Sequence, residues 1–161
     1  MRQVTQPVHA RRGRLTDPLW RITLPGMAHS QTGRSIVIYS DDSAIRATMR
    51  AALGKRAAED LPEHDIHEFA TGDALRAFMD EKSADLVILD AEATPEGGMG
   101  ISRQLKDEVF ECPPVLLVTA RADDAWLATW SRADAFLLHP IDPFIFADRV
   151  AQLLRQSSMV R

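Results

Sequence analysis

Four apolar runs in this chain each hand off to a polar side chain: an acid, a second acid, a hydroxyl and an imidazole. Ile36-Val37-Ile38 runs toward Asp41-Asp42, and Leu86-Val87-Ile88-Leu89 ends at Asp90. Val115-Leu116-Leu117-Val118 ends at Thr119, and Phe136-Leu137-Leu138 ends at His139-Pro140. A carboxylate can act as a nucleophile or bind a hard cation, and a hydroxyl with a cation can hold the oxygens of a phosphate. In an open parallel sheet, side chains at the carboxyl ends of the strands converge on one crevice. The order predicts a single phosphate-handling site whose only base is a histidine, mostly neutral at pH 7.

The elements that position these residues alternate in type along the chain. Strands are expected at 35–39, around Ile66 and Phe69, at 85–89, after Pro113-Pro114, and at 135–138. Between them, apolar residues recur at helical spacing. Ile45, Met49, Ala52 and Leu53 form one helix, with Asp42 or Ser43 as its N-cap, and Thr71 opens a second that carries Leu75, Phe78 and Met79. A glycine-rich turn, Pro95 to Gly100, precedes Ile101, Leu105 and Val109. A short helix over 122–131 holds Trp126 and Trp130, and Pro143 starts a last helix with Phe144, Val150, Leu153 and Leu154. This pattern predicts an α/β chain, (βα)5, doubly wound on a parallel five-stranded sheet.

At 161 residues and 45% hydrophobic, the chain supports one good core. Residues 1–34 lack a sustained period, contain Pro7, Pro18, Pro25, Gly13, Gly26 and Gly33, and read as an arm preceding a domain over 35–156, with 157–161 as a tail. Met27 is a second candidate start. No run approaches a membrane span or a secretory signal, so a cytoplasmic protein is expected. The lone Cys112 has no disulfide partner and no zinc-spaced neighbours. The net charge of −4 divides into +5 for residues 1–34 and −9 for the remainder, a balance that argues against nucleic-acid binding. The arm's arginines, Arg11, Arg12 and Arg14 among them, and the tryptophans Trp126 and Trp130 are the candidate partner interface, since tryptophan is enriched among hot spots. His64 and His67, three apart on a strand, fall on opposite faces and make a poor metal pair. Gly97, Gly98 and Gly100 read as a flexible turn, without a phosphate-cradle pattern.

Tyr39-Ser40-Asp41-Asp42, Leu89-Asp90, the Pro95 to Gly100 turn, Val118-Thr119-Ala120 and Phe136-Leu137-Leu138-His139-Pro140 resemble response-regulator receiver domains over about 35–156. The resemblance implies the flavodoxin-like receiver fold and phosphorylation of an aspartate by a histidine kinase with Mg2+. Matched by position, Asp90 is the phosphoacceptor, and Asp41, Asp90 and Glu92 are the metal set, with Glu92 acting through its backbone carbonyl. Thr119 is the switch hydroxyl and Phe136 the switch aromatic, and Arg46 anchors the register on the first helix. Ser40 stands where the family has an acid and His139 where it has lysine. The turn after Asp90 is longer than usual, and the stretch from Thr119 to His139 is shorter. These departures imply a degenerate site with weak or no Mg2+ binding and a non-catalytic chain. A spacer role for His139 before Pro140 remains open.

Two further resemblances bear on function. Asp90-Ala91-Glu92-Ala93-Thr94 is similar to the DxDxT start of haloacid-dehalogenase-type phosphatases, although it falls on the third strand instead of the first. Among receivers, the chain looks like orphan actinobacterial members without an output domain, some of which associate with the proton-pumping NADH–quinone oxidoreductase. That resemblance implies an accessory subunit docked on a larger assembly, peripheral to the cytoplasmic side of the membrane. The alternative it implies is a phosphorylatable single-domain response regulator.

Overall fold

The computed structural model describes residues 33–122 and 125–159. Five strands, β1 (Arg34–Tyr39), β2 (His64–Phe69), β3 (Leu86–Asp90), β4 (Val115–Thr119) and β5 (Ala135–Leu138), pair in the order β2-β1-β3-β4-β5, all parallel. Each is followed by a helix: α1 (Ser43–Leu53), α2 (Gly72–Glu81), α3 (Gly98–Glu108), α4 (Ala125–Trp130) and α5 (Pro143–Met159). This is the expected (βα)5 doubly wound, flavodoxin-like fold. The arm residues Arg11, Arg12 and Arg14 lie outside the described residues.

Alternation along the strands divides the core into two layers. Ile36, Ile38, Ile88, Leu116 and Val118 face α1 and α5 and meet Met49, Leu53, Phe146, Val150 and Leu154. Val37, Tyr39, Val87, Leu89, Val115 and Leu117 face the other way and meet Leu75, Met79, Ile101 and Leu105. The strands are short, and they hold because both faces are covered. Each fully buried Leu or Ile side chain contributes roughly 1.5–3 kcal/mol. The edge strands β2 and β5 are less covered, and on β5 Phe136 and Leu138 alternate outward and remain 45% and 42% exposed.

Local chemistry sets the helix ends. Asp42 is the N-cap of α1, its carboxylate accepting from Ala44 N–H at 2.7 Å, and the helix stops at Gly54, whose φ of 58° is left-handed. Thr71 caps α2. His64 and His67 project to opposite sides of β2. The His64 ring bonds the Gly54 carbonyl at 3.0 Å, and burial pushes its pKa down; His67 stacks on Phe78 of α2.

Several boundaries differ from the sequence reading. β3 spans Leu86–Asp90, so Asp90 is its last residue instead of the residue after it. α4 spans Ala125–Trp130, inside the expected 122–131, and Ser131 lies beyond its end. α5 continues to Met159, so Ser157 and Ser158 are helical, each hydroxyl bonding the Leu154 carbonyl, and the expected tail is mostly helix. α3 begins at Gly98, inside what reads as a flexible turn.

Gly98 belongs to the site more than to a turn. A Cβ built there would lie 2.6 Å from the Asp90 carbonyl oxygen and 2.9 Å from Leu89 Cβ, because α3 starts directly against the end of β3. Neither neighbour is a flexible tip. Gly98→Ala is therefore expected to cost about 1–3 kcal/mol by overpacking. Chemical denaturation, with Gly100→Ala as control, checks this, since nothing lies within 4 Å of a Cβ at Gly100.

Candidate functional site

Sheet order reverses direction between β1 and β3, and the crevice beyond their carboxyl ends is where open α/β sheets bind ligands. Ser40 follows β1 and Asp90 ends β3, and both are almost fully buried. The Ser40 hydroxyl donates to Asp90 Oδ2 at 2.7 Å and accepts from Asp42 N–H at 3.1 Å. Asp90 Oδ1 accepts from the Glu92 backbone N–H at 2.9 Å. Both carboxylate oxygens of the phosphoacceptor candidate thus have partners from within the chain.

Thr119 ends β4, buried, and pairs in register with Leu138 of β5. His139 N–H donates to the Thr119 carbonyl at 2.8 Å, and this bond brings the imidazole to the site. Its Nε2 lies 3.7 Å from Asp90 Oδ1, beyond hydrogen-bond length and an ion pair only when the ring is protonated. The imidazole therefore faces the acceptor. Phe136 pairs in register with Leu117, two residues short of Thr119, and stands half-exposed on the edge strand.

Asp41 lies outside this cluster. It is solvent-facing, and its Oδ2 accepts from the Thr94 hydroxyl at 2.8 Å, a bond that holds its pKa below the usual carboxylate value. Arg46 of α1 fixes the β1–α1 turn, donating to the carbonyls of Ser40 at 2.6 Å and Asp41 at 3.3 Å. The Glu92 side chain turns away from Asp41, and its Oε1 accepts from Ala120 N–H at 3.1 Å and from the Thr119 hydroxyl at 3.4 Å.

These residues do not fit the metal set that the resemblance implies. A Mg2+ shell takes carboxylates and waters in near-ideal octahedral geometry, usually with acids flanking the acceptor. Here the first flanking position is a hydroxyl bonded to Asp90, and the second acid is engaged by Thr94. Among the described residues, no three His, Cys, Asp or Glu side chains converge as metal ligands.

The phosphatase resemblance fails on geometry as well. Lys106, the downstream lysine such a site needs, binds the Pro113 carbonyl at 3.1 Å and Asp134 at 2.6 Å, ahead of β4 and β5 at the amino-terminal end of the sheet. A cavity of about 540 Å3 at that end is lined by Asp85, Lys106, Cys112 and Asp134, and burial pushes the Cys112 thiol pKa up. Asp123 and Asp124 lie outside the described residues.

The sequence reading missed two contacts. Ser40 reads there only as a lost carboxylate, whereas it is a buried donor to Asp90. Glu92 reads only through its backbone carbonyl, with no part for its side chain, which bridges two strand ends. Both are contacts between residues at least 27 positions apart, with no local signal in the sequence. At the edge beside this site, Trp126 and Trp130 are 68% and 50% exposed, with Phe144 and Ile145 also exposed.

Comparison with known proteins agrees with this architecture. The chain is 50% identical over 129 residues to an uncharacterized response regulatory protein of Mycobacterium tuberculosis, covering 80% of this chain and 97% of that one. It is 26% identical to the BeF3-activated receiver domain of RstA from Klebsiella pneumoniae, with a TM-score of 0.64 over 76% of this chain and 100% of that chain. A CheY-like receiver domain from Methanospirillum hungatei superimposes with a TM-score of 0.66 over 81% of this chain and 100% of that one, at 19% identity. No protein-family model matches the chain.

Proposed function

The chain belongs to the response-regulator receiver family, and we propose that it serves there as a non-catalytic interaction module whose phosphorylation site is degenerate. The Ser40–Asp90 hydrogen bond carries this reading. It puts a neutral donor where metal-dependent phosphoryl transfer needs a second carboxylate, and it satisfies the acceptor without a cation. His139 supports it, because its Nε2, 3.7 Å from Asp90 Oδ1, stands beyond hydrogen-bond reach of the acceptor. Under this reading, Mg2+ binding is weak or absent.

The docking surface in this reading is the edge formed by α4, β5 and the start of α5, with Trp126, Trp130, Phe136, Leu138 and Phe144 as exposed apolar residues. The basic arm, Arg11, Arg12 and Arg14 included, adds an electrostatic contact. The partner is a larger protein assembly, and a respiratory NADH–quinone oxidoreductase is the candidate offered by resemblance. Among the described residues, no helix is long and apolar enough to cross a membrane, so attachment to one runs through that partner.

A second reading keeps Asp90 as an acceptor for a histidine kinase, with the chain a cytoplasmic phospho-switch. It is favoured by the pairing of Asp90 with Val118, which sets the acceptor beside the Thr119 hydroxyl at adjacent strand ends. Affinity capture from the native host with wild type and Asp90→Ala separates the two. A complex retained by Asp90→Ala is expected; loss of the complex from a folded Asp90→Ala protein hands the function to the switch.

A further inference from the structure

Glu92 follows β3 by two residues, yet its carboxylate binds the end of β4. Its Oε1 accepts from Ala120 N–H at 3.1 Å and from the Thr119 hydroxyl at 3.4 Å, while its own N–H donates to Asp90 Oδ1 at 2.9 Å. Ala91 N–H donates to the Val118 carbonyl at 2.8 Å, so the two strand ends are already fastened beneath it. A hydroxyl and the next backbone N–H, presented together at a strand end beside a buried acid, form an anion-holding pair. The anion they hold here is a side chain of the same molecule.

We infer that Glu92 is the internal occupant of the anion position next to Asp90, an autoinhibitory contact that fixes the start of the loop after β4. This rests on the reading of the site as one that works without phosphoryl transfer, and it supplies the reason. An incoming phosphoryl group must displace Glu92 from both donors and meets a like charge as it does so. Ala120, the first residue after β4, is held by this contact whatever the state of Asp90. Two negative charges, Asp90 and Glu92, share the site on separate donors. Arg121 N–H adds to the arrangement by donating to the Thr119 oxygen at 3.4 Å.

The test reads the Ala120 amide by NMR in wild type, Glu92→Ala and Glu92→Gln. Glu92 is exposed, so neither substitution threatens the core. Hydrogen exchange at Ala120 is expected to be roughly tenfold faster in Glu92→Ala, because local opening governs protection there. Glu92→Gln, which keeps an acceptor oxygen at the same reach, is expected to retain most of that protection. Acetyl phosphate is applied to the same samples, and labelling of Asp90 is read by mass spectrometry. An Ala120 amide indifferent to Glu92→Ala overturns the assignment of Glu92 alone. Stoichiometric labelling of wild-type Asp90 overturns instead the phosphoryl-independent reading on which it rests.

Discussion

Ser40→Ala is expected to destabilise the protein by about 2–3 kcal/mol, a large effect for the loss of one oxygen atom. The hydroxyl donates to a carboxylate that is only 3% exposed, and hydrogen bonds to charged groups are worth about 1.5–3 kcal/mol. The same oxygen also accepts from Asp42 N–H at the mouth of α1, so its removal strips two bonds at once. For a chain of this size, the loss corresponds to a fall in Tm of roughly 4–10 °C. The cycle with Asp90 is the informative measurement. In an Asp90→Ala background the charge that needs the donor is gone, and Ser40→Ala should then cost under about 1 kcal/mol. Additive losses in denaturation would show that Ser40 acts through packing, and the account of the degenerate site would lose its central contact.

The second large effect falls on docking and leaves stability untouched. Trp126→Ala and Trp130→Ala are each expected to weaken the captured complex by about 2 kcal/mol, roughly 30-fold in Kd. Their exposure, 68% and 50%, leaves little core contact to lose, so each should change folding stability by no more than about 0.5 kcal/mol. Trp130 is also stacked under the Arg103 guanidinium, 5.9 Å from its ring, and this restrains the side chain before any partner arrives. Phe110→Ala is the control: that ring is 91% exposed, but it lies between α3 and β4 at the opposite end of the sheet. Titration by calorimetry or biosensor checks all three. Equal losses at Phe110 and the tryptophans would mean that nonspecific apolar contact, and not this edge, holds the partner.

The two effects separate the parts of the molecule by what they depend on. Ser40 matters because a buried charge has to be satisfied inside the fold. The tryptophans matter because an edge strand and a six-residue helix leave apolar surface exposed among the described residues. A variant set that removes the first without the second would leave docking intact in a less stable protein, as expected for an interaction module.

Much of this architecture is written in short stretches of the chain. Continuous apolar runs such as Leu86–Leu89 require strands buried on both faces, and helical spacing between them requires a parallel sheet. Asp42 and Thr71 mark helix starts through a side-chain oxygen that serves backbone N–H groups two or three residues away, so both were readable locally. Asp90, Thr119 and His139 sit at the sheet's carboxyl end because strand periodicity leaves them nowhere else. What the three do there was decided only by folding. Whether Ser40 is only a lost carboxylate or a donor, whether Gly98 is part of a flexible turn or a close contact, and what the Glu92 side chain binds depend on distances of about 3 Å set by the packing of one element on another. Periodicity sets which face a side chain takes, but hydrogen bonds fall off within an ångström, and that ångström belongs to the tertiary structure.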